Sequence, residues 1–155
     1  MIELRKSCIG IGENEKLIKG DLFKLDWCEE LDSTLPTLMI VSGVFQYFHE
    51  KILEFIKNAK DIFTNAELIF DATNKFGIRY SNIYVKRTGN KSALMHFYIE
   101  NPREFAKKAE CQLIECRGFY KDALKMLSKK LSLYTKISMK IADKRNNAMI
   151  LHLKL

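Results

Sequence analysis

No stretch of the sequence approaches the roughly 20 consecutive apolar residues that a membrane helix needs. The longest nearly apolar run, residues 38–48, is interrupted by Ser42 and Gln46. A secretory leader is also missing, because Glu3 and Arg5 break up the first residues and no apolar core of that type follows. A cytoplasmic location without membrane contact is therefore expected. Cysteine is scarce and unpaired in spacing: Cys8, Cys28, Cys111 and Cys116 form no C-x-x-C, and His49, His96 and His152 lie far apart. These spacings argue against a metal site and for free, mostly buried thiols in a reducing compartment. Internal repeats, low-complexity tracts and flexible linkers are absent too, so 155 residues with 47% hydrophobic content read as a single domain, 1–155, with a real core.

What the sequence does have is positive charge and strong local patterning. Its 26 basic residues against 19 acidic ones leave a formal net charge of +7. Residues 2–9 read as a short helix or its tail, and residues 16–18 as a short strand stopped by Gly20. Asp32-Ser33-Thr34 with Pro36 makes a turn before the apolar run 38–41, which suits a parallel strand covered on both faces. From Val44 the period becomes helical: Phe45, Phe48, Ile52, Phe55, Ile56, Ala59 and Phe63 share one stripe, with Glu50, Lys51, Glu54, Lys57 and Lys60 facing away. Leu68-Ile69-Phe70 then meets an acid, Asp71, and strand, helix, strand in this order predicts a right-handed crossover and a parallel pair.

The glycine-punctuated segment 74–98 reads as a helix followed by a mobile loop. Asn101-Pro102-Arg103-Glu104 supplies a cap, a proline at the first helical position and an early acid, so a helix begins there. Residues 111–116 read as a strand. Ala123, Leu127, Leu131, Tyr134 and Ile137 then recur at helical spacing through a lysine-rich stretch, Asn146-Asn147 turns the chain, and Met149, Leu151, Leu153 and Leu155 alternate along a last strand.

Three segments taken together, GDLFKLDW at 20–27, PTLMIVSGVFQYF at 36–48 and AELIFDATN at 66–74, resemble the middle of a class I S-adenosylmethionine-dependent methyltransferase. More closely, they resemble the leucine carboxyl methyltransferase family and its polyketide-synthesis O-methyltransferase branch, from about residue 2 to the end. The resemblance implies an α/β fold, a three-layer Rossmann-like sheet with an antiparallel C-terminal strand. Members of that family open with a helical region, a first strand with a glycine-rich turn and a second strand ending in a ribose-binding acid, and this chain starts after all of them. Two strands are then missing, and unpaired apolar edges predict a rearranged sheet, a tight homodimer or an N-terminal partner chain.

For the site, the resemblance implies that Asp21 accepts a hydrogen bond from the adenine amine and that Leu22 offers its backbone amide to the ring. It places Ser42 and Gly43 beside the methionine part of the cofactor and Tyr47 near the methyl-transfer cavity. Ser42 stands where the family carries an acid, and a serine does not pair with the cofactor's positive charge. Arg79, with Lys86 and Arg87, would draw in an acidic acceptor, either a carboxylate or another small molecule. No catalytic residue is identified. From the residues alone, Gly20-Asp21 reads equally as a plain turn and residues 44–48 as the buried start of a helix.

Three functions follow: an S-adenosylmethionine-dependent O-methyltransferase, a silent remnant or split-enzyme half that binds a partner, and a nucleic-acid binder. The last would use Lys125, Lys129, Lys130, Lys136, Lys140, Lys144 and Arg145. It ranks lowest, because these lysines surround a helix whose apolar stripe should face the core and no aromatic platform interleaves with them.

Overall fold

Two apolar runs joined by an amphipathic helix form the centre of the molecule. The computed structural model describes residues 2–48 and 51–155. Strand β1 (Thr37–Val41) and strand β2 (Ala66–Ala72) lie parallel, with Thr37 opposite Ala66 and Val41 opposite Phe70. The helix between them, α2 (Lys51–Ile62), buries Ile52, Phe55, Ile56 and Ala59 on one stripe. The expected strand, helix, strand order and parallel pair are present, although His49 and Glu50 lie outside the described residues.

The other elements are α1 (Ile2–Ile9), α3 (Lys75–Arg87), α4 (Pro102–Lys108), β3 (Gln112–Gly118), α5 (Lys121–Leu127), α6 (Leu133–Lys144) and β4 (Met149–Lys154). The last strand enters the sheet between two earlier ones, giving the order β1-β2-β4-β3. β4 runs antiparallel to both neighbours, and a bulge between Leu113 and Glu115 shifts its register against β3. The result is a four-stranded mixed sheet of α/β type.

One face of this sheet carries the core. Leu68, Phe70, Met149, Leu151 and Leu153 are fully buried with the α2 stripe and with Phe105 and Ala106 of α4. Aromatic rings run edge to face through this layer, Phe45 against Phe70 at 5.2 Å and Phe70 against Phe105 at 6.0 Å. Burying a side chain such as Phe70 is worth about 1.5–3 kcal/mol, which makes this layer the main source of stability. Helix α4 starts as its sequence predicts, with the Asn101 carboxamide oxygen accepting from the Arg103 and Glu104 amides and Pro102 in the first turn.

Several sequence expectations are corrected. Residues 16–18 form no strand, since three residues with no neighbouring strand cannot satisfy their backbone groups in a ladder. β1 is not covered on both faces: Leu38 is 54% and Ile40 is 70% exposed, because β1 is the sheet edge and no described element lies over that side. The helical period from Val44 opens as a 3-10 turn, Phe45–Tyr47, followed by an extended Phe48, although Phe45 still reaches the core. The lysine-rich stretch is two helices, not one. Ser132 restarts it by capping α6 through the Thr135 amide, and neither α5 nor α6 buries a residue.

Candidate functional site

The carboxyl ends of β1 and β2 meet at a glycine. Gly43 has φ +68°, a left-handed conformation that costs an ordinary L-residue energy, and nothing lies within 4 Å of where a Cβ would stand. Its amide donates to Asp71 Oδ1 at 2.6 Å, a charge-assisted bond that ties the two strand tips together. In sheets of this kind ligands sit outside the carboxyl ends of parallel strands. The exposed Ser42-Gly43 backbone and the Asp71 carboxylate therefore form a small, open, acidic ledge. Position 42 is a serine, and the nearest acid at this ledge, Asp71, comes across the sheet from the next strand. Sequence reading noted Asp71 but had no signal that it would point at Gly43, because register is a tertiary fact.

Asp21 sits elsewhere and does local work. Its Oδ1 accepts from the Phe23 amide at 2.9 Å, and its own amide donates to Asp26 Oδ1 at 3.2 Å. This is the self-bonded acidic turn that Gly20-Asp21 spells in sequence. Gly20 is required for a different reason, since a Cβ there would come within 2.7 Å of Trp27. With no strand before it, Asp21 is not at a strand tip. It lines a cleft of about 170 Å3 with Phe23, Lys24, Lys51, Glu54 and Phe55.

Leu22 is half-buried against the core. Phe23 reaches Phe48 at a ring separation of 4.5 Å, so this turn packs beside the segment that follows Gly43. Tyr47 and Arg79 are both exposed, and they line neither cleft.

A larger cleft of about 560 Å3 opens at the same end of β2, between α3 and α6, and sequence reading missed it. Thr73, immediately after β2, is at its floor, with Asn147 and Ala148 ahead of β4. The floor is tightly built. The Asn74 side chain caps α3 through the Gly77 amide and donates to the Arg145 carbonyl and to Asn147 Oδ1. Gly77 must be glycine here, because a Cβ would fall on the Asn147 carbonyl oxygen. The segment after α3, expected to be a loop, is pinned by a reciprocal pair of bonds between the Asn82 carboxamide and the Met95 backbone, each 2.9 Å. Tyr80 and Tyr84, one turn apart on α3, share a hydroxyl contact of 2.8 Å that pushes the Tyr80 phenol above its ordinary value.

The four thiols are free, and their burial is uneven: Cys28 is buried, Cys111 and Cys116 are half-buried and Cys8 is exposed. Loss of hydration pushes the Cys28, Cys111 and Cys116 thiols up. Thiols held protonated in this way are poor nucleophiles and poor metal ligands. Among the described residues no three His, Cys, Asp or Glu side chains stand where they could hold a metal ion, and no helix is long and apolar enough to cross a membrane.

Among solved structures, the chain is similar to a DUF574 family protein from Streptomyces avermitilis MA-4680, with a TM-score of 0.57 and 11% identity, over 88% of this chain and 53% of that one. It also matches a cyclopropane-fatty-acyl-phospholipid synthase-like protein from Lactobacillus casei ATCC 334 at 10% identity, over 88% of this chain and 61% of that one, with a TM-score of 0.43. No protein-family model and no curated protein matches the sequence. The DUF574 likeness shows the fold alone, an α/β architecture built on a mixed sheet. The chain spans about half the length of that protein, 53%.

Proposed function

We propose that the chain is the C-terminal half of an S-adenosylmethionine-dependent O-methyltransferase site of the leucine carboxyl methyltransferase type, acting in the cytoplasm on a carboxylate or other small-molecule acceptor. The observation that carries this reading is the ledge at the strand tips. It joins a glycine with a left-handed backbone and open space around it to a carboxylate from the adjacent parallel strand. A cationic ligand with a sulfonium and an ammonium fits beside such a carboxylate, so the residues present suit one flank of the cofactor.

Ser42, Gly43 and Asp71 would hold the methionine end, and Asp21 and Leu22 the adenine. When bound, S-adenosylmethionine supplies an electrophilic methyl group. The chain's own part is positioning: the Asp71 bond fixes the Gly43 backbone, and Tyr47 and Arg79, exposed outside both clefts, would meet the acceptor, Arg79 by attracting an anion. By the sequence resemblance, that acceptor would be of the polyketide-synthesis type.

A second reading is favoured by the bare edge of β1. Leu38 and Ile40 stand exposed on the outermost strand, which is what a half-domain that docks onto an N-terminal partner chain or a second copy would present. On this reading the chain is a binding module and turns over nothing alone.

Calorimetric titration with S-adenosylhomocysteine, with Asp21→Ala and Asp71→Asn variants alongside, separates these readings. Micromolar binding weakened at least tenfold by either variant supports a rebuilt cofactor pocket. Absence of heat at millimolar ligand rejects autonomous cofactor binding and leaves the partner-dependent module.

A further inference from the structure

We infer that the cleft between α3 and α6 is a binding site for a flat, uncharged aromatic small molecule. The inference does not rest on methyl transfer. The first ground is size: about 560 Å3 falls within the ~300–1,000 Å3 of ordinary small-molecule pockets.

The second ground is charge. The chain is 29% charged and carries +7, yet among the described residues none that lines this cleft is Lys, Arg, Asp or Glu. An anion would find no cation to pair with there and a cation no carboxylate, and either would lose hydration without compensation.

The third ground is the kind of wall. Phe76 and Tyr80 of α3 face Tyr134, Met139 and Ile141 of α6, with Tyr120 at one end. Aromatic side chains around a slot favour a planar guest, which they can meet edge to face or stacked, each contact adding about 0.5–1.5 kcal/mol beyond area burial. Hydroxyl groups at Ser81, Thr135 and Ser138 are spaced along the same walls, enough to orient one phenol or carbonyl. Thr73 Oγ1, in the residue at the floor, is buried and has no hydrogen-bond partner.

Finally, the apolar side of α6 is only partly covered by the fold. The helix has an amphipathic pattern but buries no residue, and Tyr134 is 80% exposed. Asn74, Gly77 and Asn147 tie the start of α3 to the chain that follows α6, which fixes where the two walls begin. An apolar face left open over a built floor is what a ligand would complete.

The probe is 2-naphthol, followed by its own fluorescence anisotropy, with 2-naphthalenesulfonate as the charged ring of equal shape. Saturable binding of 2-naphthol, at least tenfold tighter than the sulfonate, is expected. Ser138→Trp, which puts an indole into the cleft from an exposed helix position, should weaken it at least tenfold. Lys140→Trp, on the same helix but outside the lining, should leave it unchanged. Equal binding of both probes, or equal effects of the two tryptophans, overturns the inference. So does a protein that sediments as a dimer and becomes a monomer in Ser138→Trp, since the cleft would then be a contact between copies. Circular dichroism on both variants establishes that they fold, so a loss is read as a loss of the site.

Discussion

At the scale of single residues, the clearest liability is Gly43. Alanine at φ +68° would be held in the left-handed region, at a cost of about 1–2 kcal/mol. Gly43→Ala is therefore expected to lower the unfolding free energy read from the urea midpoint by that amount, even though space for its methyl is free. A midpoint equal to wild type would mean that the β1 tip relaxes to another conformation. Asn101→Ala should cost about 1 kcal/mol by the same measurement, because two backbone amides lose their acceptor.

Cys28 has a pH signature. Burial, then the nearby Asp26 charge, raise its folded-state value above the ordinary 9.0. As pH climbs past about 9, the unfolded chain gives up the thiol proton before the folded chain does. The stability contributed by the protonated thiol is thus complete below that pH and drains away above it. The difference in urea midpoint between wild type and Cys28→Ala should shrink between pH 8 and pH 10. A constant difference would show that this thiol is not held protonated by the fold.

At the scale of elements, the anchoring of α3 is the point to test. Gly77→Ala drives a methyl into the Asn147 carbonyl, a backbone atom that cannot swing away as a side-chain tip would. Overpacking of this kind costs about 1–3 kcal/mol. The expected pattern is faster amide exchange in α3 and at Asn147, with α2 and β2 unchanged. Uniform loosening of the whole sheet would instead make Gly77 part of the core.

How well each element could be read from sequence follows from how local its cause is. Helix α4 was fully legible, since Asn101, Pro102 and Glu104 act within one turn. β2 and α2 were legible because their apolar patterns coincide with real burial. The α6 stripe was misread, since periodicity reports that a helix has an apolar side and not what that side meets. The Gly43 to Asp71 bond spans 28 residues and depends on strand register, so no local pattern announces it. Asp21 was legible in its bland sense, as a turn.

At the scale of the whole molecule, the sheet is lopsided, with one face packed and the β1 edge bare. Ile40→Lys should have no measurable effect on the midpoint of a monomer, because the residue is 70% exposed. If sedimentation shows wild type as a dimer and Ile40→Lys as a monomer, the edge is an interface. If both are monomeric, the edge waits for a different chain.

The strand order has a further consequence, in time. β4 comes after the other three strands in the sequence, yet it is central and bonds both β2 and β3. During synthesis β1 and β2 can pair early, but β3 has no place in the sheet until residues 149–154 are available. Until then the β2 edge that β4 fills, the backbone groups of residues 67–72, is open to other nascent chains. The sheet is therefore completed by one late insertion, which closes the edge of β2 and gives β3 its partner in a single step.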